Sequence, residues 1–307
     1  MDQDIIYMSK KVIIFGNGFV GSNLAQHFED QGVNYKILTK KDLDYTNKKE
    51  LKKYFDIEKC DIKCVINASG YTGVPNVDAC EDNKALCWNM NVQYPLEVVA
   101  LCHQNSIPII HIGSGCIYSG YEMNYTEEDE PNFGMGSKDA SYYSRCKHAF
   151  ESSSTSYNRY IFRIRIPFTD ELVPKNYFTK LLKYDTLINE SNSVTSIKDF
   201  NTFVQKFIDM LGLVPYGVYN VVNPQPIKAQ EVVEILKENG LENPNWKFIE
   251  TEDLNTVAKR SNCVLSTDKI KKLGLELPDT IPSIRRDIEI LAKKSLDSKE
   301  KNDIIST

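Results

Sequence analysis

Short β-branched runs alternate with longer amphipathic stretches over the first 165 residues. The apolar run KVIIFG (11–16) ends in glycine, and Val20, Leu24 and Phe28 then recur at a spacing of four before Gly32. Such a change of period predicts a strand, a tight turn and a helix that buries one stripe. NYKILT (34–39), CVINAS (64–69), PIIHIGS (108–114) and RYIFRIR (159–165) repeat the strand pattern, with helical stretches near 46–57, 83–106 and 141–157 between them. Strands that alternate with helices imply right-handed βαβ crossovers. The expected class is therefore α/β, with a Rossmann-type, doubly wound parallel sheet.

After Pro167 the rhythm loosens. A polar stretch (185–197) precedes a helix near 199–212, and GVYNVVN (217–223) reads as one more strand of the main sheet. KAQEVVEILKENG (228–240), WKFIET (246–251), STDKIKKLG (266–274) and TIPSIRRDIEILAKKS (280–295) read as a smaller α+β lobe. The pattern thus assigns residues 1–166 and about 194–223 to a Rossmann domain, and 167–193 with 224–295 to a substrate-binding lobe. The charged tail, 296–307, is expected to be disordered.

Composition narrows the function classes. Of 307 residues, 41% are hydrophobic and 26% charged, with 37 basic and 42 acidic side chains and a net charge of −5. A chain of this size can bury a large core, and without a basic stripe it carries no footprint for a nucleic-acid partner. No apolar run approaches the roughly 20 residues that span a membrane. The start, MDQDIIYMSKK, lacks the pattern of a signal peptide, so a cytoplasmic location is expected. Eight cysteines (60, 64, 80, 87, 102, 116, 146, 263) lie scattered through hydrophobic runs, without histidines at metal-ligand spacing. They read as reduced, mostly buried thiols, and no metal is expected.

Gly16-Asn17-Gly18-Phe19-Val20-Gly21 joins the first strand to the first helix. Glycines in this context allow a tight turn and let the backbone approach a dinucleotide pyrophosphate, which rests on the helix N-terminus. Where an NAD-preferring site places an acid for the ribose 2′-hydroxyl, the second strand ends in Thr39-Lys40-Lys41. Two lysines and a hydroxyl suit a 2′-phosphate, so NADPH is the expected cofactor and NADH the alternative.

Ser141 to Lys147 contains Tyr143-x-x-x-Lys147 on the stretch expected to be helical. A spacing of four puts both side chains on one face. A free phenol titrates near 10. An ammonium about 4 Å away contributes on the order of 4 kcal/mol at an effective dielectric of 20, enough to lower that value by up to about three units. Ser114, at the end of its strand, is the candidate to hold a substrate carbonyl, because such sheets carry chemistry at their carboxyl ends. Cys116, two residues on, turns the same way if the backbone is extended.

With these motifs the sequence resembles the extended short-chain dehydrogenase/reductases that act on nucleotide sugars. More closely it is similar to the bifunctional UDP-4-keto-6-deoxyglucose 3,5-epimerase/4-reductases of UDP-L-rhamnose synthesis, relatives of dTDP-4-dehydrorhamnose reductase. The resemblance rests on Asn67-Ala68-Ser69-Gly70-Tyr71-Thr72-Gly73, Pro75-Asn76-Val77-Asp78, Gly115-Cys116-Ile117, Asn176-Tyr177-Phe178-Thr179-Lys180 and Arg260-Ser261-Asn262, and runs from about residue 11 to 290. Two departures stand out: the glycine loop is one residue short of the family's G-x-x-G-x-x-G, and Val74 replaces an arginine before Pro75.

The resemblance implies that Ser114, Tyr143 and Lys147 reduce a C4 ketone, and that Cys116 and Lys180 are the acid–base pair for epimerisation at C3 and C5. Lys183 competes with Lys180 by position alone. Ala68, Ser69 and Gly70 would lie at the cofactor, Thr72, Asn76, Asn176 and Arg260 at a UDP-sugar, and the family's habit is a homodimer. The rival readings are a single-function dTDP-4-dehydrorhamnose-type reductase and a non-catalytic, cofactor-binding regulatory subunit. A regulatory subunit of this kind typically lacks the Tyr–Lys pair.

Overall fold

The computed structural model describes residues 10–253 and 256–305, with side chains described as far as residue 297. Reading of the leader at residues 1–9 therefore lies outside the described residues. In chain order the first half comprises β1 (Lys11–Phe15), α1 (Phe19–Asp30), β2 (Tyr35–Leu38), α2 (Lys48–Glu58), β3 (Ile62–Asn67), α3 (Ala79–Asp82), α4 (Lys84–Trp88), α5 (Tyr94–Gln104), β4 (Ile109–Ser114), β5 (Gly120–Tyr125) and α6 (Tyr142–Ser153). The second half comprises β6 (Tyr160–Ile164), β7 (Pro167–Phe168), α7 (Tyr177–Lys183), β8 (Thr186–Ile188), β9 (Thr195–Ser196), α8 (Ile197–Asp209), β10 (Gly217–Asn220), α9 (Ala229–Glu238), β11 (Lys247–Ile249), β12 (Cys263–Leu265), α10 (Asp268–Lys272) and α11 (Thr280–Ile305).

Six parallel strands form the main sheet in the order β10-β6-β4-β3-β1-β2. The chain moves outward from β1 to β2, crosses back to β3 and then continues to the far edge. The order reverses between β1 and β3, and the loops leaving their carboxyl ends diverge there to form a crevice. This is the doubly wound Rossmann sheet that the alternation predicts. Val12 and Ile14 face one layer with Leu24, Phe28, Phe162 and Phe207, whereas Ile13 and Phe15 face the other with Leu51, Phe55, Val98 and Phe150. Strands buried on both faces read as continuous apolar runs, which is why they were visible in the sequence.

The smaller lobe packs around its own apolar cluster, with Phe168, Phe178, Leu181, Val233, Leu236, Ile284 and Ile288 all buried. Its strands are two or three residues long and pair as β8 with β11 and β7 with β9. The backbone of α11 stays helical through Ile305, where the charged tail from Leu296 was expected to fray. Lysine and glutamate, both good helix formers, populate this stretch. The expected helix 83–106 is interrupted at Asn89–Gln93 by a wider π turn. Pro95 has no N–H to offer the carbonyl four residues back, so the regular ladder breaks there.

One buried ion pair holds α6 against the sheet. Arg163 of β6 donates to Glu151 of α6 through Nη2 at 2.7 Å and through Nε at 3.1 and 3.2 Å. Its Nη1 reaches the Tyr118 hydroxyl at 3.0 Å. Arg163→Met strands a buried carboxylate, and its expected loss of stability is about 3–5 kcal/mol, read from urea unfolding. Arg163→Met/Glu151→Leu is expected to recover most of that loss. A single variant as stable as the wild type would show that the pair does not anchor α6.

Candidate functional site

At the crevice each glycine has its own reason. Gly16 adopts φ +99°, and a Cβ there would lie 2.7 Å from the Ser69 Cα. A Cβ on Gly21 would lie 2.0 Å from the Gly16 carbonyl oxygen. These two glycines bring β1, α1 and the β3 loop together. Gly18 has no heavy atom within 4 Å of the position its Cβ would take. The α1 N-terminus at Gly18 has neither a side-chain cap nor an acid in its first turn. Its amides and the open space beside Gly18 suit a pyrophosphate, so the shortened loop still fits a dinucleotide. Across the crevice the Ala68 amide donates to the Phe15 carbonyl at 3.0 Å, and Ser69 donates to Asn67 at 2.6 Å. Gly70 backs onto Asn91 of the π turn, whose amide group also holds Tyr71.

Beyond β2, Lys40 and Lys41 are exposed. Thr39 departs from its expected part. Its hydroxyl donates to Asp42 at 2.7 Å and accepts from the Lys41 amide at 3.2 Å, so it is committed to a turn. The Thr39 hydroxyl and amide hold the Asp42 carboxyl below its usual range.

Four side chains converge at the end of β4. Ser114 ends the strand and accepts from the Cys116 amide at 3.3 Å. Tyr143 and Lys147 lie on α6, whose start is capped by Ser141 and whose Tyr142 amide donates to Glu81 at 2.6 Å. The Ser114 hydroxyl faces both the Tyr143 phenol and the Cys116 thiol. Lys147 is buried, donates to the Ile112 carbonyl at 3.1 Å and lies 5.8 Å from the Tyr143 ring centroid. An ammonium has three donors, so Lys147 keeps capacity for the hydroxyls of a nicotinamide ribose.

The electrostatics correct the expectation that Lys147 lowers the phenol. Burial pushes Tyr143 well above 10, aided by Cys116, while Ser114 offsets a little. Burial also lowers Lys147 and raises Cys116. Cys116 is therefore a protonated thiol at neutral pH rather than a thiolate base. Behind Tyr143, the buried thiols Cys87 and Cys146 lie 3.8 Å apart. All eight cysteines are free; Cys60 is exposed and Cys116 partly so.

The remaining expected residues come from the smaller lobe and the loop after β3. Lys180 stands on α7 and is lowered by burial and then by Lys175. Among the described contacts it meets none of the four residues at β4. Asn176, expected at the substrate, is instead fully committed to the fold. Its side chain accepts from the Thr169 and Phe178 amides and donates to the carbonyls of Thr169 and Glu171. Asn76 accepts from the Asp78 amide at 2.9 Å, and Arg260 grips Asp78 through two bonds of 2.8 and 2.9 Å. Thr72 accepts from Lys175 at 2.9 Å. Lys175 and Asp78 carry this contact between lobe and loop, and nothing in the periodicity distinguished them from surface charges. Among the described residues no group of His, Cys, Asp or Glu is placed to hold a metal, and no helix is long and apolar enough to cross a membrane.

The family model described as the RmlD substrate binding domain matches residues 10–292. An Arabidopsis thaliana bifunctional dTDP-4-dehydrorhamnose 3,5-epimerase/dTDP-4-dehydrorhamnose reductase is 30% identical over 271 residues, covering 84% of this chain and 86% of that protein. An Arabidopsis trifunctional UDP-glucose 4,6-dehydratase/UDP-4-keto-6-deoxy-D-glucose 3,5-epimerase/UDP-4-keto-L-rhamnose-reductase is 29% identical, and the match covers 88% of this chain and 40% of that protein. The crystal structure of a UDP-rhamnose synthase from Acanthamoeba polyphaga mimivirus superposes with a TM-score of 0.80 at 25% identity, covering 92% of this chain and 99% of that one.

Gly18 separates binding from folding. Gly18→Ala meets no protein atom, so its stability should stay within about 1 kcal/mol of wild type. Its affinity for NADPH should fall at least about tenfold, because the methyl group occupies the approach to α1. Calorimetric titration beside thermal unfolding checks both. Unchanged affinity would remove the pyrophosphate from this loop.

Proposed function

The chain belongs to the RmlD substrate-binding-domain family, and from that premise we propose an NADPH-dependent nucleotide-sugar 4-ketoreductase that also epimerises its substrate. The reaction runs from UDP-4-keto-6-deoxy-D-glucose through 3,5-epimerisation to UDP-L-rhamnose. The observation that carries this reading is the convergence of Ser114, Cys116, Tyr143 and Lys147 at the carboxyl end of β4. The activities named for the Arabidopsis relative and for the mimivirus structure support it. UDP is preferred to dTDP on the likeness to the UDP-rhamnose synthase.

For the reduction, Ser114 donates to the C4 carbonyl oxygen and orients it. The raised pKa of Tyr143 keeps the phenol protonated at neutral pH, which is the form a reduction requires. Bound NADPH supplies the hydride. Tyr143 gives its proton to the C4 oxygen as negative charge develops there, and Lys147 stabilises the phenolate left behind.

For the epimerisation, the C4 ketone acidifies the protons on C3 and C5. Burial leaves Lys180 more readily neutral and Cys116 more firmly protonated. Lys180 is accordingly the base that removes a proton from one face, and the Cys116 thiol is the acid that returns one to the other. Ser114 stabilises the enolate oxygen between the two transfers. Both groups then exchange with solvent, which is how label enters the sugar.

In deuterium oxide, Cys116→Ala is expected to lose inversion at C3 and C5, read by NMR of the sugar, because Lys180 alone can return label only to the face it deprotonates. Tyr143→Phe should keep wash-in and lose NADPH oxidation by at least about 100-fold. Mass spectrometry of the sugar and absorbance at the nicotinamide band read the two. If Cys116→Ala still inverts the sugar, Cys116 is not the acid; if the wild type gives no wash-in, the protein is a reductase alone.

Cofactor choice has its own test. Lys40→Ala/Lys41→Ala should weaken NADPH about tenfold, the worth of roughly 1.4 kcal/mol, while leaving NADH nearly unchanged. Equal loss for both cofactors would move the 2′-phosphate away from these lysines.

A further inference from the structure

Lys175 lies in the segment just ahead of α7 and crosses more than a hundred positions of sequence to meet the loop after β3. Its Nζ donates to the Thr72 hydroxyl at 2.9 Å and to the Gly73 carbonyl at 2.7 Å. No carboxylate pairs with it among the described ion pairs, and burial lowers its pKa. A half-buried ammonium held only by two neutral oxygens contributes little to stability, so its placement calls for another reason.

The loop it grips is rigid. Gly73 adopts φ +72°, and a Cβ there would lie 2.0 Å from the Asn76 carbonyl oxygen. Asn76 closes a turn onto the Asp78 amide, and Arg260 clamps Asp78 from the other side. The segment leaving Lys175 is equally fixed. Asn176 ties the start of α7 to Thr169 and Glu171, and the Lys180 amide donates to the Asn176 carbonyl at 3.2 Å. Lys175 therefore joins two stiff bodies, and Lys180 lies one helical turn beyond the joint. Lys175 stands close enough to Lys180 for its charge to act on it.

We propose that Lys175 is a positioning residue: by gripping Thr72 and Gly73 it fixes α7, and with it Lys180, over the sheet edge that carries Ser114 and Cys116. This inference rests on the reading of Lys180 as the base in epimerisation. Proton abstraction tolerates little error in placement, and a shift of about 1 Å can cost on the order of 100-fold in rate.

The test compares K175M, K175Q, K175R and K180M in the full-length protein, with UDP-4-keto-6-deoxyglucose in deuterium oxide. K175M and K175Q are expected to slow wash-in at C3 and C5 at least about tenfold, with the affinity for NADPH within about twofold of wild type. K175R keeps donors for both oxygens and should recover wash-in to within about threefold of wild type. A residue needed only for folding would lower NADPH affinity and wash-in together, and K175Q provides the reading if K175M fails to fold. Wild-type wash-in in K180M removes Lys180 as the base and defeats the proposed chemistry. Loss in K180M with wild-type wash-in in both K175M and K175Q overturns the positioning role alone. K175R as slow as K175M overturns it too.

Discussion

The buried Arg163–Glu151 pair is the constraint on which the site depends. Glu151 lies one helical turn beyond Lys147 on α6, and Arg163 pairs across the sheet with Gly113, next to Ser114. A Cβ at Gly113 would lie 2.7 Å from the Ile161 side chain and 3.5 Å from Glu151. Glycine there makes room for the Ile161 side chain of the neighbouring strand, and Glu151 packs against it at ordinary contact distance. The pair thus fixes the separation between the strand that ends in Ser114 and the helix that carries Tyr143 and Lys147. Buried pairs of this kind add little net stability over an apolar replacement, because desolvation offsets the attraction. Their value here is registry. Tyr118 extends the same network, accepting from Arg163 and donating to the Asp129 carbonyl at 2.7 Å.

Burial sets the protonation state of the proposed site residues. Tyr143 and Cys116 are pushed up, Lys147 and Lys180 down, and burial is the leading cause in all four. Each shift favours the neutral form. The sequence-based estimate for the Tyr–Lys pair considered only attraction between phenolate and ammonium. It omitted the cost of drying both. It also assumed a direct approach of the ammonium to the phenol oxygen, whereas Lys147 bonds to the Ile112 carbonyl and sits beside the ring. A site whose acids hold their protons and whose bases are more readily free is prepared to give a proton to an oxygen that gains charge.

The parts of the fold legible in the sequence were those whose local pattern and global role agree. The strands of the main sheet are buried on both faces, so their apolar runs announced them, and α1 showed its stripe at Val20, Leu24 and Phe28. The glycine loop and Tyr143–Lys147 were legible because spacing alone determines which residues share a turn or a face. The short strands β7, β8 and β9 were not, since two or three residues carry no period and are specified by tertiary pairing. Thr39 and Asn176 were misjudged for a related reason. Short polar side chains serve backbone turns as readily as ligands, and only the partners, Asp42 and the amides beside Thr169, decide between the two. Lys175 gave no signal because its significance lies in a contact with Thr72, far away in sequence.

The two proposed chemistries rest on unequal foundations. Ser114 ends β4, Cys116 lies in the 3-10 turn Gly115–Ile117 that follows instead of on extended backbone, and Tyr143 and Lys147 stand on α6, which the buried ion pair and the apolar layers hold against the sheet. In the proposed epimerisation Lys180 would reach the same cleft from a lobe whose described links to the loop after β3 are polar and partly exposed: Lys175 on Thr72 and Gly73, and Arg260 on Asp78. Water competes for such bonds far more effectively than for a buried pair. The residues proposed for reduction therefore stand on Rossmann-domain elements, whereas the proposed proton-transfer pair would span the two lobes. On the proposed reading, such a chain differs from a single-function reductase through Cys116, Lys180 and the contacts that place Lys180, with no change at Tyr143 or Lys147.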